Sequence, residues 1–446
     1  MNAEGVHRAP PAPIVVVLPS DWTAAALISS GALDVLGGHY PLHFLLGSEV
    51  GRAPDGPSTR VEPRSSRTHW RRALDFYFWC AALFVHLRER GLSDETSFKA
   101  MQLPRWYRAI YRLLALPGLR DIVGFVDRRV IFRRDTALSA FLERTRPRMV
   151  IIPGSAMDSY SHWVERACKP LGIPVLMIVS HWDYFSKKGL LRIAPDRIYV
   201  WGEDMLELAA GRGHVARSRL RILGAPQFDK YREPVEGRRQ AARQRFGLRP
   251  SSKVVLFAGT GVPFDELETL KRLDETNRGG LGDVVLLYRP HPRGYERRRS
   301  GTFSAEELPS VVIDDPNAAG ATSDEHYLDL MAAADGIVSP FSTMIVEAAM
   351  CGRPSLCIAY ADSVNEWNLA EATSNDHIRM IEGRIWFTTC SDPRRLPEQY
   401  RQFVSDLDRD GRTSAVRHDI RRTVFYNGAS YAERLFQAVT EDFFDR

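Results

Sequence analysis

The chain has few long apolar runs. No stretch approaches the ~20 residues that a membrane-spanning helix needs. The longest candidate, Ala73 to Leu87, is interrupted by Asp75 and His86 and flanked by Arg71, Arg72, Arg88 and Arg90. It reads as a buried helix, with an interfacial helix as the alternative. Cysteine is scarce as well. Cys80, Cys168, Cys351, Cys357 and Cys390 are scattered, odd in number and contain no CxxC pair. That argues against a disulfide framework or a cysteine zinc site and for a reducing compartment. Neither HExxH nor GxxxxGK[ST] occurs, so zincin and P-loop hydrolase chemistry lack support. Gly (32) and Pro (27) are too few in 446 residues for a collagen-like or low-complexity chain. Met1 to Pro13 is polar and Pro-rich, unlike a signal peptide.

What is present is a globular mixture, 44% hydrophobic and 26% charged, long enough for two domains. Lys+Arg 60 against Asp+Glu 55 gives +5. This excess permits a phosphate-rich partner or an anionic membrane surface without requiring either. The arginines between residues 60 and 134 alternate with Trp, Tyr and Leu at helical spacing, which suits amphipathic helices with solvated faces better than a nucleic-acid surface. No nucleic-acid partner is expected.

Short apolar runs bounded by turn residues set an α/β rhythm. The opening unit is strand Ile14 to Leu18, helix Ala24 to Leu36, and a strand near Leu42 to Leu46. Further strands are expected at Met149 to Ile152, Pro174 to Val179, Arg197 to Val200 and Arg221 to Leu223. After a charged stretch, Lys230 to Pro250, others are expected at Val254 to Phe257, Asp283 to Tyr288, Val311 to Ile313, Gly336 to Val338 and Pro354 to Ala359. The pattern predicts a first domain over 1–229 with a helical insertion at 60–134, a linker at 230–250, a second domain over 251–425 and a closing segment at 426–446. In open parallel sheets ligands sit beyond the carboxyl ends of the strands, so the residues just after strands are the candidates.

Four such segments stand out. Ser339-Pro340-Phe341-Ser342-Thr343 comes after a strand and opens a helix, offering hydroxyls and N–H groups to a nucleotide phosphate. Glu347 lies one turn later, within reach of ribose hydroxyls. The plain alternative is that Ser342 only caps the helix. Arg289-Pro290-His291-Pro292 fixes a histidine between prolines at a strand end. There His291 can donate to a phosphate or leaving group, with Arg289 adding charge; a surface histidine in a turn is the alternative. Gly259-Thr260-Gly261 lets backbone approach a ligand, although glycines mark turns everywhere. Finally, His181-Trp182-Asp183 offers a general base, Asp183 or His181, for an acceptor hydroxyl; ordinary turn residues would look the same. Asp21, after the first strand, is a further candidate base.

Together these segments resemble the GT-B glycosyltransferase superfamily, which implies two Rossmann-like domains facing across a cleft, with C-terminal helices crossing back to the first. His291-Pro292 and Ser342-Thr343 look like the His-Pro and Ser/Thr motifs of CDP-glycerol glycerophosphotransferases, capsule Kdo transferases and bacterial sialyltransferases. In those families the motifs hold a cytidine nucleotide's phosphate. HWDYFSKKG…APDRIYVWGEDM…RILGAPQFD resembles a pattern of surface-polysaccharide transferases, with Tyr184 where that pattern has Asn. The resemblance implies a CMP- or CDP-linked donor, a glycan or lipid-linked glycan acceptor, no metal and no further cofactor. It also implies a cytoplasmic place, with peripheral contact at the inner membrane face left open. A UDP-N-acetylglucosamine 2-epimerase and a catalytically silent assembly protein are the competing readings. The epimerase pattern has a Ser-Gly-Gly turn where this chain has Ser339 to Thr343.

Overall fold

The computed structural model describes residues 11–61, 76–85 apart from 79 and 82, 105–126 apart from 115 and 117, 135–154, 159–188, 191, 194–261, 264–291, 308, 310–315, 318, 320–321, 323–362 and 369–445. Among these residues the chain forms two sheets with all paired strands parallel. The first contains β1 (Ile14–Ser20), β2 (Leu42–Glu49), β3 (Ser58–Arg60), β4 (Met149–Gly154), β5 (Val175–Val179), β6 (Arg197–Val200) and β7 (Leu220–Ile222), in the order β3-β2-β1-β4-β5-β6-β7. The second contains β8 (Lys253–Ala258), β9 (Val284–Arg289), β10 (Val311–Ile313), β11 (Gly336–Pro340), β12 (Ser355–Ile358) and β13 (Phe387–Cys390), in the order β10-β9-β8-β11-β12-β13. The central strands β1, β8 and β9 are buried along nearly their whole length. Covered on both faces, such strands read as continuous apolar runs.

Both orders reverse direction once, between β1 and β4 in the first sheet and between β8 and β11 in the second. At such a switch point the connections leave to opposite sides and a crevice opens at the carboxyl edge. The segments after β8 and β11 are Gly259 to Gly261 and Phe341 to Thr343.

The elements differ from the expected ones in three places. The helix expected over Ala24 to Leu36 is two helices, Asp21–Ser29 and Ala32–His39, because the chain turns at Gly31 with φ 68°. The stretch expected as a linker carries helix Arg239–Arg245, and its Arg243 is buried. That guanidinium donates to Ala333 O (3.1 Å), Pro250 O (2.6 Å) and Ser252 O (2.8 Å) and pairs with Asp335 (2.8 Å). Its charge therefore fastens the segment to the second sheet. The edge strands β3 and β13 were not expected, since three or four residues of mixed polarity give little periodic signal.

The closing helix, Tyr431–Phe443, begins in a reciprocal cap between Ser430 and Glu433. It packs Tyr431, Leu435, Ala438 and Val439 into the apolar cluster of Ile14, Val16, Leu36 and Tyr199. The Tyr199 hydroxyl donates to Ala438 O (2.9 Å) and Asp442 (2.8 Å). The last helix thus lies on the first sheet, as the resemblance implies. All five cysteines are buried. Among the described residues no helix is long and apolar enough to cross a membrane.

Candidate functional site

The carboxyl edge of the second sheet is braced by one buried carboxylate. Glu266 opens helix Glu266–Arg278 and accepts from Thr260 N (2.8 Å) and from the Tyr288 hydroxyl (2.6 Å). It therefore ties the loop after β8 to the end of β9. His291 comes just after that end and lies against the same loop. A Cβ at Gly261 would stand 3.0 Å from His291 Cε1, and one at Gly259 would stand 2.9 Å from His291 N. At Gly259, where the facing atom is backbone, only glycine leaves room for this approach. Gly259, Thr260, Gly261 and His291 thus form one local unit.

On the other side of the switch point, Ser339 is fully buried and its hydroxyl donates to Ala258 O (2.8 Å) and Pro340 O (2.8 Å). It fastens β11 to β8 and does not face a ligand. Ser342 Oγ accepts from Met344 N (3.1 Å), the first residue of the helix Met344–Met350, whose N-cap position is Thr343. The Thr343 side chain is exposed beside it. Of the expected phosphate ligands, His291, Ser342 and Thr343 keep accessible positions; Pro292 lies outside the described residues.

Arg289 departs from its expected role. Its guanidinium is buried, paired with Asp314 (2.8 Å), and donates to Ala321 O (2.8 Å). Asp314 also meets His326 Nε2 at 2.9 Å. The positive charge is neutralised inside the sheet, where it anchors the β9 end and adds nothing to a phosphate. Glu347 is half-buried, and its Oε2 accepts from the buried Tyr231 hydroxyl at 2.5 Å. Loss of hydration raises the Glu347 pKa above its ordinary value, opposed by the nearby Lys230 and by the Tyr231 hydrogen bond. Tyr231 comes after the first sheet in the chain, so this bond joins the two halves. Beside it opens a polar cavity of ≈ 260 Å³ lined by Ser29, Ser30, Gln227, Asp229, Lys230 and Asp324, among others.

His181 and Asp183 come after β5 of the first sheet. The His181 ring stacks on Trp22 (5.0 Å between centroids, 5° between planes), which comes after β1. The backbone carbonyl of Asp183 accepts from Ser186 N (3.2 Å) at the start of a wide helical turn, Tyr184–Lys188. Tyr184 is buried in the core, which gives an aromatic at that position a packing role. The turn meets the second half directly: Ser186 Oγ lies 2.5 Å from His377 Nδ1, and Trp182 contacts the same imidazole edge-on. Asp21 accepts from Gly51 N (2.8 Å). Glu266, Tyr288, Tyr231 and His377 were not singled out from sequence. Of these only Glu266 left a trace, an acid at the start of a helix soon after a glycine turn.

Known proteins share this architecture. Residues 203–392 match the model of the CDP-Glycerol:Poly(glycerophosphate) glycerophosphotransferase family. No curated protein matches the chain in sequence. Solved structures share its fold over nearly the whole length. A glycosyltransferase from Rickettsia africae is 10% identical with a TM-score of 0.53, covering 98% of this chain and 99% of that one. The UDP-GlcNAc 2-epimerase from Neisseria meningitidis bound to UDP-GlcNAc is 12% identical with a TM-score of 0.53, covering 96% and 100%. The wall teichoic acid polymerase TagF, as its H548A variant, is 10% identical with a TM-score of 0.50, covering 98% and 91%. Residues 203–392 are thus similar to the CDP-glycerol glycerophosphotransferase family, and the chain as a whole has the two-sheet GT-B fold of these solved structures.

Proposed function

We propose that the protein transfers a group from a CMP- or CDP-linked donor to a bacterial surface glycan or lipid-linked glycan. The observation that carries this reading is the switch point between β8 and β11, with His291 after β9 packed against the loop after β8, inside the segment that matches the glycerophosphotransferase family. His291, Ser342 and Thr343 hold the nucleotide's phosphate, and Glu347, aimed by Tyr231, accepts from its ribose. Asp183 or His181 takes the proton of the acceptor hydroxyl. The acceptor oxygen bonds to the transferred group, the bond from that group to the nucleotide's phosphate oxygen breaks, and the nucleotide leaves as an anion. Fixed donors aimed at that growing charge supply most of the rate.

A groove of ≈ 830 Å³ beside Asp21, Asp34, Phe44, Arg52 and Asp55 gives the first half room for a glycan. The proposed reaction uses no metal, so EDTA should leave turnover intact.

The test is calorimetric binding of CMP, CDP, UDP, GDP and dTDP to the wild type and to His291→Ala. Selective binding of CMP or CDP, lost in the variant, supports the reading. A response to UDP alone favours an epimerase or another sugar transferase. No binding to any of them favours a catalytically silent assembly protein.

A further inference from the structure

Thirteen large apolar side chains are exposed among the described residues, and nine of them fall between residues 76 and 125. Most sit on two short helices that touch each other, Arg105–Leu114 and Leu119–Val126. Each helix buries one anchor. Tyr107 is buried, its hydroxyl donates to Tyr77 O and its ring lies 5.4 Å from that of Tyr77; Val123 is buried on the second helix. Six other apolar residues turn outward at helical spacing. Trp106, Ile110 and Leu113 form one stripe, and Leu119, Ile122 and Phe125 form the next. Trp106 is 61% exposed and Phe125 58%. An apolar patch this concentrated marks a docking surface.

We infer that this helical pair docks in the plane of an anionic lipid surface. The charges select that occupant. Over residues 105–126 the sequence places Arg105, Arg108, Arg112 and Arg120 against the single acid Asp121. Apolar stripes beside arginines are the pattern of interfacial helices, which bind through buried apolar area and attraction to anionic headgroups. A second copy of the chain would bring the same arginine-rich segment against itself, at an electrostatic cost. Helices of 10 and 8 residues are too short to span a bilayer, so they lie on it. The inference does not depend on the identity of the donor or acceptor.

The test is flotation of the full chain with vesicles of phosphatidylcholine alone and with about one-third phosphatidylglycerol. The protein should float with the anionic vesicles only, and less at higher salt. The double variant Trp106→Ser/Phe125→Ser should bind roughly tenfold more weakly or worse, with nucleotide binding and melting temperature unchanged because both side chains are exposed. Arg112→Gln, also exposed, should weaken binding about fivefold, and it decides the matter if the double variant does not fold. Failure of the wild type to float with anionic vesicles overturns the inference. So does a folded double variant that floats as well as the wild type. A wild-type dimer by light scattering that becomes monomeric in the double variant, with no vesicle binding, also overturns it and assigns the face to self-association.

Discussion

Two buried glutamates, one in each half of the molecule, are treated in opposite ways. Glu266 accepts a hydrogen bond at each oxygen, from Thr260 N and the Tyr288 hydroxyl. Glu165, on helix Ser159–Cys168 beside the first sheet, is equally buried, yet among the described residues neither of its oxygens accepts a hydrogen bond. His162 Nδ1 lies 3.5 Å away. Burial pushes the Glu165 pKa well above its ordinary 4.5. A satisfied carboxylate fixes geometry, whereas an unsatisfied one is held neutral and costs stability. The brace stands where the loop after β8 meets the end of β9, beneath the proposed nucleotide site.

Variants can sharpen or break that contrast. His291→Ala should lower turnover by roughly 10²-fold or more while leaving the fold intact, measured as single-turnover rate against melting temperature. If turnover persists, the brace holds a loop with no chemical task. Glu266→Ala strands two buried donors and should cost about 2–4 kcal/mol, read by urea denaturation. Ser342→Ala loses the hydrogen bond from Met344 N and should cost about 1 kcal/mol, whereas Ser342→Asp keeps an acceptor there and should instead repel the nucleotide, a loss seen by calorimetry.

Glu165→Gln should act in the opposite direction. As pH rises past 4.5 the unfolded chain releases this proton before the folded chain does, so folded stability falls until pH passes the raised folded value. The variant should therefore match the wild type near pH 4.5 and exceed it at neutral pH, as measured by denaturation across that range. Equal stability at both ends would remove the contrast. The smallest effect belongs to Thr343→Ala, within about 0.5 kcal/mol in stability but with weaker nucleotide binding.

Much of the second sheet's edge was legible because a strand buried on both faces announces itself as an apolar run, and the ends of β8 and β9 then direct attention to the loops beyond them. His291 between prolines and Gly259 to Gly261 could be found that way. Bonds that cross the molecule leave no local mark. Tyr231 sits in a charged stretch with nothing to single it out, and its partner Glu347 lies 116 positions later. Arg289 misled for the same reason: a guanidinium after a strand reads as a phosphate ligand until Asp314, 25 residues on, is seen to hold it. The insertion read as amphipathic helices with solvated faces, but the sequence did not say that the solvated faces would be apolar.

The placement of helix Tyr431–Phe443 on the first sheet bears on how the protein is made. Residues near Ile14, Leu36 and Tyr199 are synthesised early, yet the apolar face they share is completed by Leu435 and Val439. The first half leaves the ribosome unable to close its own core, and its exposed surface must wait for the final segment of the chain. A chain halted before residue 431 would leave that apolar face of the first sheet uncovered and open to proteases.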